Sequence, residues 1–125
     1  MATILISINP QHVDKILSGI KKCEYRTRSP KKEVNRMVIY ETSPIKRVVA
    51  ECELENVLTL PKEELWLKTK NLSGTTKDRF DNYFSKQDNA TGFIIKNISK
   101  CDKSLDEYGI KFVPQSYIYL DEKMI

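Results

Sequence analysis

The sequence predicts an α+β fold: a small mixed β-barrel of five to six strands with two or three short helices packed on it. Its 125 residues, of which 40% are hydrophobic and 30% charged, have the size and composition of a globular chain with a real core. We therefore treat residues 1–125 as a single domain. Most β-rich segments follow each other without a crossover helix between them, which argues against a doubly wound parallel sheet.

The first elements are a strand and a short amphipathic helix. Residues 2–8, ATILISI, form a β-rich run that ends at Asn9 and Pro10. Asn9 is a typical helix cap, and a proline at the first helical position loses no hydrogen bond because that N–H has no helical partner. Gly19 is placed to end the helix in a left-handed conformation. Helical spacing predicts one buried face, formed by Val13, Ile16, Leu17 and Ile20.

Three strands are predicted next. From residue 22 onward the pattern has period two, with Cys23 and Tyr25 on one side and a charged row on the other, formed by Glu24, Arg26 and Arg28. Residues 34–40 are nearly continuously apolar, as in a central strand. Residues 47–58 alternate cleanly and predict a long, half-buried strand whose core side is formed by Val48, Ala50, Cys52 and Leu54.

The second half contributes two helices and the remaining strands. Pro61 opens a helix that Trp66 is expected to anchor to the core. Thr76 is predicted to cap a third helix with an aromatic face, formed by Phe80, Tyr83 and Phe84. Residues 92–98 and 115–120 are the last two predicted strands.

Charge is unevenly distributed along the chain, whose net charge is +4. Nine Lys or Arg and three Glu lie between Lys21 and Arg47, a local excess of six positive charges, while the rest of the chain sums to −2. Such a segment favours an anionic partner, of which nucleic acid is the usual one. A solvated face that keeps a small domain soluble would have the same composition, so charge alone leaves both interpretations open.

Composition argues against several other kinds of site. The three cysteines, Cys23, Cys52 and Cys101, are widely spaced and form no CxxC pair, and His12 is the single histidine. These residues cannot supply three or four converging ligands, so we expect no metal and no cofactor. His12 is expected on the solvated side of the first helix. No apolar stretch approaches the ~20 residues that span a bilayer, and the cysteine usage favours a cytoplasmic location. We expect a monomer without a membrane partner.

One motif connects these observations to a known family. The segment GIKKCEYR, residues 19–26, follows a short helix and enters a strand; it resembles the GxKxxExR signature of the ASCH domain, a branch of the PUA-like superfamily. Residues 38–44, residues 114–117 and the order of elements support this resemblance over nearly the whole chain. It implies a PUA-like β-barrel with a helix closing one side and a cleft between them. The related PUA, YTH and EVE-type domains bind RNA, or single modified bases, in the corresponding region.

The resemblance and the residue pattern together predict the ligand-binding residues Lys21, Glu24, Arg26, Arg28, Tyr40, Thr42, Ser43, Gln115 and Ser116. Arg26 offers a planar fork of donors to a phosphate or a base edge, and Lys21 a mobile point charge. Glu24 is able to accept a hydrogen bond from an exocyclic amine, whereas phosphate binding alone has no use for it. The alternative is a structural pair of Glu24 with Arg26 or Lys21. Tyr40, at a strand end, is a candidate platform for base stacking.

The predicted function is therefore binding of RNA, or of a nucleotide or modified base, with regulation of transcription or RNA metabolism as an extension. Whether the protein is an enzyme stays open. Some small ASCH-like proteins are amidohydrolases acting on acylated cytidines, and others are ribonucleases; in the hydrolases the motif Lys acts with a Thr three positions on and with a later carboxylate. Here that position is Glu24, and residues 68–76 contain no Asp or Glu. For an enzyme, Lys21 and Glu24 are the candidate catalytic pair.

Overall fold

A computed structural model describes residues 1–120; the last five residues of the predicted domain lie outside the described part. Six strands and three α-helices follow each other in the order β1 (Ala2–Ile8), α1 (Pro10–Leu17), β2 (Cys23–Arg26), β3 (Val34–Glu41), β4 (Arg47–Pro61), α2 (Lys62–Thr69), α3 (Lys77–Tyr83), β5 (Asn89–Lys103) and β6 (Tyr117–Leu120). Single turns of 3₁₀ helix lie at Lys70–Leu72 and Leu105–Tyr108. The predicted α+β class and the number of strands and helices are confirmed.

The six strands form one mixed sheet in the order β2-β5-β4-β3-β1-β6. Strands β1 and β3 are parallel, and all other neighbours are antiparallel. Within residues 1–120 the sheet is not closed into a barrel by backbone pairing, because the edge strands β2 and β6 have four residues each and pair only with β5 and β1. The expectation of a closed barrel is wrong in this respect.

Side chains bridge the gap between β2 and β6, which we call the seam. Arg26 Nη1 donates a hydrogen bond to Ser116 Oγ at 3.1 Å, just before β6, and Arg28 donates to the carbonyl of Tyr117. On the other side of β6, the backbone N–H of Ser7 in β1 donates to the carbonyl of Ser116 at 2.9 Å and extends the β1–β6 pairing. The curved sheet is therefore joined at its edges by arginine side chains rather than by a β-ladder.

Helix α1 begins at Pro10, as predicted, and ends at Leu17, two residues before Gly19 with its left-handed φ of 83°. Val13 and Ile16 are buried against the sheet, which confirms the predicted apolar face for these positions. Ile20 is exposed, because the helix has ended before its turn could carry this residue back to the core. The side chain of Asn9 does not cap the helix; its Oδ1 accepts a hydrogen bond from Thr42 Oγ1.

Helices α2 and α3 cover the β2 end of the sheet. Their buried residues Leu65, Phe80 and Phe84 pack with Cys23 and Tyr25 in a small cluster separate from the main core under α1. Thr76 caps α3 as predicted, since its side chain accepts from the backbone N–H of Arg79 at 3.2 Å. Trp66 is half-buried, with its ring 5.0 Å from that of Phe80. The cluster holds α3 next to β2, and this contact positions the cleft described next.

Candidate functional site

A cleft of about 600 Å³ lies between the start of α1, strand β2 and helix α3. Its wall combines cations, one carboxylate, amides and aromatic rings, contributed by Ser7, Asn9, Gln11, His12, Lys21, Glu24, Tyr25, Arg26, Thr75, Arg79, Phe80, Asn82, Tyr83, Phe84 and Gln115. Lys21, Glu24 and Arg26 therefore converge on one concave surface, as predicted, whereas Lys22 is exposed and does not line the cleft.

Glu24 is the centre of a buried ionic network. Its Oε1 lies 3.4 Å from Lys21 Nζ, and its Oε2 accepts hydrogen bonds from Arg26 Nη2 at 2.7 Å and from Arg26 Nε at 3.2 Å. Only 3% of Lys21 and 4% of Glu24 is exposed. Both structural pairs considered for Glu24 are present at once, and the three groups together carry one net positive charge.

Lys21 is held by a loop that is distant in the sequence. Its Nζ donates to the carbonyl of Ser73 at 3.3 Å and lies 5.3 Å from the centroid of the Tyr25 ring. Gly74 packs directly on the aliphatic stem, because a Cβ at this position would lie 2.8 Å from Lys21 Cβ. The expectation that Lys21 is a mobile charge is wrong, since the loop before α3 covers it.

Arg26 uses its guanidinium to join three parts of the chain. Besides the bonds to Glu24 and Ser116, its Nη2 donates to the backbone carbonyl of Ser7 at 2.9 Å. An arginine has five N–H groups, so one N–H on Nη1 is left over for a ligand. A carboxylate offers about four lone-pair positions, and Glu24 accepts two hydrogen bonds, both from Arg26 at Oε2, while its Oε1 faces Lys21 Nζ. The network is thus fixed by the fold but keeps donor and acceptor positions.

Comparison with known proteins identifies the family. The ASCH domain matches residues 6–102 of the chain. The chain belongs to the ASCH domain family. The resemblance stated from the 19–26 segment is thereby confirmed.

The relatives of this ASCH domain include proteins of different length. It is 32% identical over 122 residues to the large ribosomal subunit protein uL22 of Ureaplasma parvum, spanning 94% of this chain but 39% of that protein. It is 29% identical over 94 residues to the ASCH domain-containing ribonuclease of Zymomonas mobilis, spanning 74% of this chain and 64% of that protein. The crystal structure of ASCH from Zymomonas mobilis superposes with a TM-score of 0.85 at 26% identity, covering 98% of this chain and 90% of that one.

The remaining predicted site residues of this ASCH domain lie at different distances from the cleft. Gln115 lines it, and Ser116 contacts Arg26. Arg28 lies further along the seam, over the Tyr117 ring at 4.1 Å. Thr42 does not line the cleft, but its hydroxyl donates a hydrogen bond to Asn9, which does. The neighbouring Ser43 is exposed.

Tyr40 is the predicted residue that the fold separates most clearly from the cleft. It is buried in a second core cluster, with Leu5, Val38 and Tyr108, and does not line the cavity. Successive side chains of a strand point to opposite faces, so the residues of a strand buried on both faces alternate between two clusters. Tyr40 lies on the same face as Val38.

Two functional candidates were missed by sequence reasoning. His12, expected to be solvated, lines the cleft, and within residues 1–120 its buried Nδ1 has no hydrogen-bond partner. Burial, followed by the positive charge of Lys21, lowers the pKa of His12 below its ordinary value of 6.5. Tyr83, predicted on the aromatic face of the third helix with no role in a site, lines the cleft and is half exposed, with its ring 4.8 Å from that of Phe84 in an edge-to-face contact. Arg79 and Tyr83 are four residues apart on α3, so their side chains lie on the same face of the helix. This spacing is the sequence signal that could have placed both residues at one site.

Other sites were also considered in the described chain. Within residues 1–120 no cluster of three His, Cys, Asp or Glu residues is able to hold a metal ion. No helix in this range is both long and apolar enough to cross a membrane. Cys23 and Cys52 are buried, and burial raises the pKa of each thiol to about 12, so neither is a reactive thiolate at neutral pH.

Proposed function

We propose that this ASCH domain binds RNA and takes one nucleotide into the cleft, where Arg26 and Glu24 contact its polar edges. The observation that carries the proposal is the buried network of Lys21, Glu24 and Arg26 on the wall of an open cleft. Burying ionic groups is costly, and replacing such a network by apolar residues is often neutral or stabilising. The protein encloses this network on most sides, but the network also lines an open cavity. Its polar groups are therefore available to a ligand.

The chemistry of the wall suits a nucleotide better than a simple anion. Arg26 and Arg79 are able to contact a phosphate or a base edge, because guanidinium donors fit both. Glu24 matches an exocyclic amine such as that of cytosine or adenine. Tyr83 of α3 also lines the cleft and is half exposed, and a base stacked on an aromatic ring gains about 1–3 kcal/mol.

The comparisons support RNA as the class of ligand. One relative is named an ASCH domain-containing ribonuclease, a name that concerns RNA, whereas the ribosomal relative is matched over only 39% of its length. The chain spans less than two thirds of each of these proteins, so the activity of the whole relatives is carried over only as a proposal. Amide hydrolysis and a role in transcription, both implied by the resemblance, rest on no contact described above, and we do not extend the proposal to them.

The experiment is a fluorescence-anisotropy titration of labelled, unstructured RNA with the wild-type protein and three variants. Arg26→Ala should weaken binding by about 1–3 kcal/mol, because it removes charge-assisted hydrogen bonds. Arg26→Lys should recover little of this loss, since an ammonium cannot reproduce the planar fork. Arg47→Ala is the matched control, because Arg47 is partly exposed, pairs with Asp102 and does not line the cleft.

Circular dichroism and thermal unfolding would show that each variant is folded. Equal affinity of Arg26→Ala and Arg47→Ala for RNA would contradict the proposed site. Tyr83→Ala with Tyr83→Phe as its control tests the part of the cleft wall formed by α3: loss of affinity only in the alanine variant identifies stacking, and equal affinity in both excludes it.

RNA cleavage is a second candidate, favoured by one specific observation. The imidazole of His12 lines the cleft, and its lowered pKa keeps it neutral at pH 7, as a general base requires. Glu24 is less suited to this role than the sequence indicated, because both its oxygens already contact cations. End-labelled RNA should be cut by the wild type and at least ~10²-fold more slowly by His12→Gln, with binding retained. Intact RNA after incubation with the wild type would leave binding as the function.

A further inference from the structure

The loop between β2 and β3, residues 27–33, is held rigidly on β6 by two tyrosines. The guanidinium of Arg28 lies over the Tyr117 ring, and Tyr117 Oη donates to the carbonyl of Arg28 at 2.9 Å. Tyr119 Oη accepts from the backbone N–H of Lys31 at 2.8 Å and of Lys32 at 3.3 Å. The ammonium of Lys32 lies 4.9 Å from the centroid of the Tyr119 ring. We call residues 27–33 the basic loop.

The cations of the basic loop are not neutralised by the fold. Within residues 1–120, Arg28, Lys31 and Lys32 form no ion pair, whereas Arg47, Lys77 and Lys103 each pair with a carboxylate. Within residues 1–120, two acidic residues lie beside the basic loop: Glu33, next in the chain, and Glu55, which shares a shallow cavity of about 540 Å³ with Lys31 and Lys32. Residues 27–33 carry three cations and one acidic residue, an excess of two positive charges.

The basic loop continues the charged wall of the cleft. Arg26 contacts Ser116, and Arg28 contacts the next residue, Tyr117. The two arginines therefore contact successive residues along the seam. Two residues of extended chain cover about 7 Å. Arg28 therefore lies about one such step beyond Arg26 along the seam, and the two lysines of the basic loop follow it in the chain.

We infer that the basic loop binds the phosphates of a single-stranded RNA whose neighbouring nucleotide occupies the cleft, so that the ligand is an oligonucleotide rather than a free nucleoside or nucleotide. The inference rests on the proposed function and specifies its ligand. Phosphate contacts supply much of the affinity of nucleic-acid binding. The ring contacts of Arg28 and Lys32 and the backbone bonds to Tyr119 already order part of the loop, which lowers the entropy that binding has to remove. The tyrosine contacts are what distinguish this loop from an ordinary solvated charge run.

The test compares two double variants on RNA of increasing length. Lys31→Ala with Lys32→Ala removes two charges but keeps the backbone hydrogen bonds to Tyr119. Lys68→Ala with Lys100→Ala is the control, because both lysines are exposed and line neither cavity. The ligands are a mononucleotide and labelled, unstructured RNAs of two, four, eight and twelve nucleotides, each titrated at several salt concentrations.

The wild-type affinity should rise with RNA length and then level off. The Lys31/Lys32 variant should bind the eight-nucleotide RNA about tenfold more weakly and leave mononucleotide affinity unchanged. Its slope of log affinity against log salt should be smaller by about 1.4, since each phosphate contact on a single strand contributes about 0.7. The Lys68/Lys100 variant should match the wild type.

Each other outcome overturns a definite statement. An unchanged affinity of the Lys31/Lys32 variant, an equal loss in both variants, or equally tight binding of duplex RNA refutes the inference for the basic loop. Any of these results leaves the cleft proposal standing as long as Arg26→Ala still weakens binding. Failure of the wild type to bind RNA of any length refutes the proposed function itself.

Discussion

Two carboxylates in this molecule have nearly the same partners but different surroundings. Glu24 in the cleft lies between Lys21 and Arg26, and Glu51 on the outer face of β4 lies between Arg36 at 3.8 Å and Lys103 at 3.2 Å. The cations of the cleft are largely buried, whereas the side chains of Arg36 and Lys103 are 41% and 43% exposed. Water therefore competes with the ion pairs around Glu51, whereas the ion pairs around Glu24 are largely shielded from water.

The outer group behaves as a surface network. Burial raises the pKa of Glu51, but hydrogen bonds from Tyr108 and Lys103 outweigh it and hold the pKa below its ordinary value. Exposed ion pairs contribute little to stability and are weakened by salt. The inner group carries a desolvation cost that only complete pairing offsets, so removing one member of it has a much larger effect.

The comparison is tested most strongly by deleting each carboxylate. Glu24→Ala should lower the free energy of unfolding by about 3–5 kcal/mol, because it leaves Lys21 and Arg26 buried without a counter-charge. Glu51→Ala should cost about 1–2 kcal/mol, mostly from the unpaired hydroxyl of Tyr108. Urea unfolding followed by circular dichroism measures both. Similar losses of unfolding free energy in the two variants would show that burial does not make the inner network more important for stability. If Glu24→Ala does not fold, Glu24→Gln, which keeps the side-chain shape, is measured in its place.

A smaller effect is expected at the glycine that packs on Lys21. Gly74→Ala should destabilise the protein by about 1–2 kcal/mol beyond Gly19→Ala, because both residues have a positive φ but only Gly74 faces the lysine stem. A Cβ at Gly19 would meet no atom within 4 Å, so this variant reports the backbone penalty alone. Equal unfolding free energies of the two variants would mean that the loop yields and that Lys21 is less tightly enclosed than its contacts indicate.

The features that the sequence predicted depend on neighbouring residues, and the features that it missed depend on contacts between residues far apart in the chain. The buried face of α1 and the alternation of β4 follow from local periodicity, and both are confirmed at Val13, Ile16 and Cys52. The burial of Lys21 depends on Ser73 and Gly74, about fifty residues away, and local spacing carries no information on that contact. Local patterns thus predicted which charged residues meet, but not the loop that encloses them.

The same limit explains the sheet closure and the missed cleft residues. That β2 and β6 do not pair with each other within residues 1–120 depends on how far the whole sheet curves, and the pattern of a single strand carries no information on this curvature. His12 lies on α1, which packs on the main core through Val13 and Ile16, and Tyr83 lies on α3, which is held by the cluster around Phe80. The polar wall of the cleft was therefore predictable, and the aromatic and imidazole side of it was not.

The smallest expected effect concerns pH and the cleft histidine. Because the pKa of His12 is lowered in the folded state, the unfolded chain takes up a proton first as pH falls through 6.5, and stability decreases. The melting temperature of the wild type should therefore fall more between pH 7.5 and 5.5 than that of His12→Gln. Other titrating groups are common to both proteins and cancel in the comparison. Parallel melting curves at all pH values would show that His12 titrates as if it were solvated.

The pairing of β1 with β6 fixes how far two distant parts of the sequence lie from each other and from the cleft. Thr3 lies opposite Leu120 on antiparallel neighbours, so the two backbones are about 5 Å apart although 117 positions separate them in the chain. Ser7, which lines the cleft, is four residues along β1 and thus about 13 Å from that pair. Local opening of the sheet at Thr3 and Leu120 would therefore separate the two strands at a distance from the cleft.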